Sequence, residues 1–140
     1  MNKQALAEEI LRRFAPLDHA SRLLGMHLLE GRAGHVRMSM RVTEAMLNAQ
    51  QICHGGLIFT LADTSFGYAS NSHNQRAVAA SCSIEFLAPA QVGDELTAEA
   101  SEVAHAGRTR IYDVRVTNQR EEMIAVFRGK STTVKGTWIE

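Results

Sequence analysis

Apolar residues recur at every third or fourth position at the start of the chain. Leu6, Ile10 and Phe14 are spaced four residues apart, and charged residues take the opposite face. This period is typical of an amphipathic surface helix and predicts one over residues 3–14. A proline two residues later ends the helix, and Asp18 is predicted to cap a short second helical piece.

Strict alternation of apolar and polar residues then predicts β-strands. The pattern recurs in the second half of the chain, where proline, glycine and asparagine mark the turns. The predicted strands span residues 26–31, 34–43, 80–86, 96–103, 111–117 and 123–134. Because consecutive strands are joined by turns of hairpin length, we expect an antiparallel sheet.

The segment between the two groups of strands predicts one long helix, from about Gly55 to Ser72. It is apolar on nearly every side, as expected of a helix around which a sheet curls. The predicted fold class is therefore α+β, with an N-terminal helix and a central helix packed on an antiparallel sheet. With 140 residues and no linker or repeat, the chain is predicted to form one domain over residues 1–140.

Composition and motifs narrow the possible partners. Fifteen basic residues balance fifteen acidic ones, which argues against nucleic acid or an anionic membrane as a partner. Two cysteines without a paired motif, and no signal peptide, favour the cytoplasm. The six histidines lack metal-binding spacing, and no nucleophile elbow or phosphate-binding glycine loop occurs, so we expect no metal and no cofactor.

The long helix begins unusually, with Gly55 and Gly56, two poor helix formers. A helix N-terminus carries unpaired N–H groups and partial positive charge, and glycines let a ligand approach the backbone closely. The pair therefore suits an oxyanion hole for acyl transfer. Close packing against another backbone would explain the glycines equally well.

A lone carboxylate, Asp63, lies in the middle of the same helix. No cation lies three or four residues from it, and a buried unpaired carboxylate is costly. It is either a solvated or hydrogen-bonded helical aspartate, or a general base or nucleophile in a partly dry pocket. Asn48 and His54 both precede the helix start. Each could form hydrogen bonds with the nearby backbone, or it could orient a ligand.

The spacing of Gly55 and Asp63 predicts a homodimer if the two residues cooperate. Eight residues of helix separate them by about 12 Å, so one carbonyl cannot lie close to both within one chain. A two-fold dimer with antiparallel helices would bring each glycine end near the partner's aspartate.

These motifs together resemble the hotdog-fold acyl-CoA thioesterases. The likeness is carried by Asn48, "CHGG" and "LADTSFGYASNS", with "IEFLAPAQVGDEL" and "FRGKS" further along, and it covers nearly the whole chain. The resemblance implies a curved sheet around the central helix, active sites at a dimer interface, and tetramers made of two dimers. It also implies phenylacetyl-CoA and ring-hydroxylated phenylacetyl-CoA as substrates, as in phenylacetate degradation.

The resemblance also implies roles for individual residues. Asp63 matches the catalytic carboxylate, Gly55 the backbone donor to the thioester carbonyl, and Asn48 and His54 the supporting polar positions. Other residues are candidates for contacts with the substrate or with the CoA phosphates, against the alternative that they are helix-bonded hydroxyls or solvated charges. These candidates are Gly56, Thr64, Ser65, Arg108, Arg110, Arg128 and Lys130.

Two other functions compete with thioester hydrolysis. One is a hotdog-fold dehydratase or hydratase, in which His54 would work with a carboxylate as an acid–base pair. The other is a non-catalytic acyl-CoA-binding protein, in which Asp63 would only order water. The glycine pair, and the absence of a second acid beside His54, favour hydrolysis.

Overall fold

A six-stranded antiparallel sheet dominates the computed structural model, which describes residues 2–140. The helices are α1 (Lys3–Phe14), α2 (His19–Leu23) and α3 (Gly55–Asn71). The strands are β1 (His27–Arg32), β2 (His35–Arg41), β3 (Ala77–Phe86), β4 (Glu95–Ala106), β5 (Thr109–Thr117) and β6 (Met123–Thr133). These elements confirm the predicted order, and no predicted helix or strand is missing.

The strands follow the spatial order β1-β2-β4-β5-β6-β3, and every neighbouring pair is antiparallel. The sheet differs from a simple meander because β3 does not pair with β4, although a short loop joins them. That loop is bonded to the end of β2: the Val42 N–H donates to the Asp94 carbonyl, and Gly93 N–H donates to the Val42 carbonyl. The chain therefore enters β4 beside β2, and β3 is left at the far edge against β6.

Helix α3 packs on one face of the sheet and contacts β2, β3, β4, β5 and β6. A helix about 10 Å across reaches five strands, spaced about 4.8 Å apart, because the sheet curves around it. Phe66 shows how close this approach is: a Cβ added at Gly129 of β6 would lie 2.8 Å from its ring. The architecture confirms the predicted hotdog arrangement.

Helix α1 packs on β1, the edge strand at the other end of the sheet from β3. Asn2 caps α1 through its side chain, and Leu11 packs so tightly on β1 that a side chain at Gly31 would overlap it. Asp18 accepts the Ser21 N–H at 3.3 Å, which confirms its predicted role as the cap of α2. None of the helices within residues 2–140 is long and apolar enough to cross a membrane.

Candidate active site

The first turn of α3 leaves one backbone donor free. The His54 side chain accepts the Gly56 N–H at its Nδ1 atom, at 3.3 Å, and the His54 carbonyl accepts from Leu57 and Ile58. The Gly55 N–H has no acceptor among residues 2–140. His54 is thus the helix cap, and its bond to Gly56 leaves Gly55 as the donor available to a ligand.

An apolar cavity of about 410 Å³ opens beside Gly55. The Phe86 ring forms one wall, and a Cβ at Gly55 would lie 3.0 Å from its Cζ atom. The cavity is lined by Asn48, Ile52, Cys53, Gly55, Ile58, Phe86, Leu87, Ala88 and Pro89. A carbonyl that reached the free N–H would therefore have a mostly hydrophobic surface beside it, as small-molecule sites usually do.

Asn48 is fixed in a turn at the edge of this cavity. Its Oδ1 atom accepts from the Gln50 N–H at 2.9 Å and from the Ile52 N–H at 3.4 Å. This is the backbone-bonding arrangement that asparagine favours in turns. Its side-chain nitrogen donates to no residue within 2–140, so Asn48 can also offer a donor to the cavity.

Asp63 is half-buried and has no cationic partner in the described chain. Burial raises the pKa of its carboxyl above the ordinary value, and the charge of Asp18 adds to the rise. One hydrogen bond, from the Cys82 thiol to Oδ1 at 3.9 Å, partly opposes this shift. A partly desolvated carboxylate with few partners is suited to proton abstraction or nucleophilic attack.

The two hydroxyls after Asp63 lie in different settings. Ser65 is completely buried and donates to the Leu61 carbonyl at 3.0 Å, which is the helix-bonded alternative for this residue. It presents no surface to a ligand in this chain. Thr64 is half-exposed, and its hydroxyl has no hydrogen-bond partner among residues 2–140, so only Thr64 has a hydroxyl available to a substrate.

Arg128 and Lys130 are not brought to this site within one chain. They alternate along β6 with Phe127 and Gly129, which face α3, so both cations project from the opposite face of the sheet. Arg128 is also engaged there, since its guanidinium forms two bonds to Asp113, at 2.6 and 2.9 Å. The period-two alternation of β6 in the sequence already indicates that these two cations lie on the face of the sheet opposite α3.

Arg108 and Arg110 likewise differ from each other. Arg110 donates to Glu102 at 3.0 Å in a largely buried ion pair, so its charge is already neutralised. Arg108 is exposed at the turn between β4 and β5. Neither lies among the residues that line the cavity beside Gly55.

Sequence reasoning did not single out Cys82 and Phe86 as site residues. Period-two alternation places both on the helix side of β3, but only the strand order shows that β3 is an edge whose side chains reach Asp63 and Gly55. A further group was also missed: side-chain ligand atoms of Glu30, His35 and Glu99 lie within 4.8 Å of one another on the outer face of the sheet. Arg37, 3.4 Å from Glu30, supplies a positive charge there.

Comparison with known proteins identifies the family to which the chain belongs. The thioesterase superfamily model matches residues 50–125, which include Gly55 and Asp63. The chain is 46% identical over 121 residues to the acyl-coenzyme A thioesterase PaaI of Escherichia coli K12, covering 86% of each protein.

Solved structures agree with the family match. The E. coli PaaI protein from the phenylacetic acid degradation operon superposes with a TM-score of 0.95 at 39% identity, over 97% of this chain and 99% of that one. The smu.793 protein of Streptococcus mutans, solved with acetyl CoA bound, matches with a TM-score of 0.77 at 30% identity, over 80% of this chain and 90% of its own. The chain therefore belongs to the thioesterase superfamily and has its hotdog fold.

Proposed function

We propose that the protein hydrolyses an acyl-CoA thioester to a carboxylic acid and free CoA thiol. The observation that carries this proposal is the unpartnered Gly55 N–H at the mouth of an apolar cavity, on the same helix as a partly desolvated carboxylate. In this mechanism the Gly55 amide, aided by the helix dipole, stabilises negative charge that develops on the thioester oxygen. Similarity to an acyl-coenzyme A thioesterase over 86% of the chain supports the same reaction.

Asp63 completes the reaction by one of two routes. As general base it takes a proton from water, whose oxygen attacks the carbonyl carbon while the C–S bond breaks and the thiolate is protonated. As nucleophile its own oxygen attacks, giving a mixed anhydride that water then hydrolyses. Oxygen-18 that enters the Asp63 side chain during single-turnover hydrolysis in labelled water identifies the second route, in which water attacks the Asp63 carbonyl of the anhydride.

The active site is proposed to be shared between two chains. Gly55 and Asp63 are eight residues apart on α3, about 12 Å along its axis, so one carbonyl cannot approach both in a single chain. The β3 edge supports association: it is ten residues long, and Val78, Phe86 and the following Leu87 are 51%, 52% and 59% exposed. A long edge strand presents unpaired backbone N–H and C=O groups with which another chain can pair. Two such dimers would form the tetramer implied by the family resemblance.

Aromatic acyl groups are the proposed substrates, with phenylacetyl-CoA and hydroxyphenylacetyl-CoA as the leading candidates. The cavity beside Gly55 has an aromatic wall in Phe86, and rings pack favourably edge-to-face against such a wall. The structural match to a protein of a phenylacetic acid degradation operon supports the same class.

The test is release of CoA thiol from a panel of acyl-CoAs by the wild type and by Asp63→Asn. The panel contains phenylacetyl, hydroxyphenylacetyl, benzoyl, short-chain and long-chain thioesters. We expect aromatic thioesters to be hydrolysed fastest and Asp63→Asn to lose roughly 10³-fold in kcat, since the amide can neither accept a proton nor attack. The size and shape of the side chain are kept, so oligomeric state and CoA binding serve as controls.

Three results would contradict the proposal. If Asp63→Asn kept most of its activity, Asp63 would not be the catalytic carboxylate. If the wild type bound acyl-CoAs but released no thiol, the function would be that of an acyl-CoA-binding protein. Formation or loss of a double bond in the acyl chain, without thiol release, would instead identify a dehydratase or hydratase.

A further inference from the structure

The Asp63 carboxylate has a single hydrogen-bond donor among residues 2–140, the thiol of Cys82. The thiol lies 3.9 Å from Oδ1, and the second oxygen, Oδ2, accepts no bond from the described residues. Cys82 lies on β3, paired with Gly129 of β6, and points to the helix side of the sheet. The contact therefore joins the edge strand to the middle of α3.

We propose that Cys82 is a positioning residue for the catalytic carboxylate, whose thiol holds Oδ1 and leaves Oδ2 to act on the water or the thioester. The catalytic part of this inference rests on the proposed function. The contact itself does not, because it exists between two side chains of one protomer. Among residues 2–140, no cation and no backbone N–H contacts Asp63 to fix its rotamer, so the Cys82 thiol is the polar contact that can orient it.

The chemistry of the thiol suits this role. Burial raises the pKa of Cys82, and the charge of Asp63 raises it further, so the sulfur keeps its proton and remains a donor at neutral pH. The ionisable groups that act on Asp63 are Cys82 from β3 and Asp18 from the start of α2; the first lowers the pKa of Asp63 and the second raises it. Removing the thiol should therefore make the carboxyl harder to ionise.

The pKa of Asp63 can be measured directly, because the chain contains only four aspartates. We would label them with carbon-13 at the side-chain carboxyl, assign Asp63 from the spectrum of Asp63→Asn, and titrate the wild type, Cys82→Ala and Cys82→Ser. We expect Cys82→Ala to raise the pKa of Asp63 by about half a unit to one unit, the scale of one lost weak donor, and Cys82→Ser to restore a value at or below that of the wild type.

Kinetics test the catalytic consequence. Cys82→Ala should lower kcat roughly fivefold with little change in KM, and the acid limb of its pH profile should move upward with the pKa of Asp63. Cys82→Ser should recover most of the rate. Ser81→Ala, on the same strand but on its exposed outer face, is the control for disturbance of the edge and should leave both readouts unchanged.

An unchanged pKa in Cys82→Ala would overturn the proposal, as would equal rate losses in the alanine and serine variants. The titration needs no turnover, so the positioning role of Cys82 and the proposed hydrolysis of thioesters are tested separately. If the wild type hydrolyses no thioester but the pKa shifts as expected, the proposed function is wrong and the contact between Cys82 and Asp63 stands.

Discussion

Helix α3 begins beside an open cavity at Gly55, whose N–H has no acceptor in the described part of the chain, and it ends at Asn71 in a dense set of hydrogen bonds. Asn71 is only 4% exposed, and both ends of its amide are used. Its Nδ2 atom donates to the carbonyls of Gly67 and Ala77, and its Oδ1 atom accepts from the Ala77 N–H and the Trp138 indole. The polar groups at the C-terminal end of the helix form hydrogen bonds within the chain. At the N-terminal end, the Gly55 N–H is available to a ligand.

The surroundings of the C-terminal end extend this contrast. Glu102 accepts at one oxygen from His73, Arg110 and Tyr112, at 2.9, 3.0 and 3.0 Å. Burial alone would raise the pKa of Glu102, but these donors outweigh it and lower the pKa. Buried polar groups that are paired in this way serve the fold, whereas the Gly55 N–H has no acceptor among residues 2–140 and lines an apolar cavity, which indicates a ligand site.

Among substitutions that compare the two ends of α3, Gly55→Ala should have the largest effect, and on activity alone. The added methyl would stand at the mouth of the cavity, 3.0 Å from the Phe86 ring, where the thioester must approach. We expect kcat/KM for the preferred thioester to fall roughly 100-fold, comparable to loss of an oxyanion donor. The half-exposed Phe86 ring can turn aside, so the melting temperature should change little. Thiol release and thermal unfolding measure the two quantities.

Mixing inactive chains sharpens this test. A heterodimer of Gly55→Ala and Asp63→Asn chains would contain one site with both substitutions and one with neither. If the site is shared, unfolding and refolding the two variants together should restore up to about a quarter of wild-type activity, since half of the molecules would be mixed and each would carry one intact site. No gain over the separate variants would place Gly55 and Asp63 of the same chain in one site.

Asn71→Ala, at the other end of the helix, should have the opposite effect: it should lower stability and leave activity nearly unchanged. The substitution leaves two part-buried donors, the Ala77 N–H and the Trp138 indole, without their acceptor. We expect the free energy of unfolding to fall by roughly 2–4 kcal/mol, the cost of several hydrogen bonds lost at a buried side chain. Urea unfolding measures the loss, and kcat per folded enzyme at low temperature should stay within about twofold of the wild type. A large loss of kcat without destabilisation would contradict the division of roles.

The contrast between the two ends of α3 could be predicted from the sequence only where it depends on local pattern. The helix at residues 55–72 and the placement of Gly55 and Asp63 on it follow from periodicity, and the structure ends that helix within one residue of the prediction. Two partners of Asn71, Ala77 and Trp138, are 6 and 67 residues away, and no periodicity links them to it. The contact of Cys82 with Asp63 likewise depends on the strand order, which comes from long-range pairing of β3 with β6.

Gly67 lies between the two ends of α3, and Gly67→Ala should have the smallest effect. Gly67 is four residues after Asp63 on α3, and a Cβ there would meet no atom within 4 Å. Alanine is favoured over glycine inside a helix, so we expect the free energy of unfolding to rise by about 0.5–1 kcal/mol, with activity retained. Urea unfolding of the two proteins at equal concentration gives the difference. A loss of stability would mean that a second chain fills this space, because no atom of residues 2–140 lies within 4 Å of the added methyl group. A loss of activity alone would extend the ligand site from Gly55 to the middle of the helix.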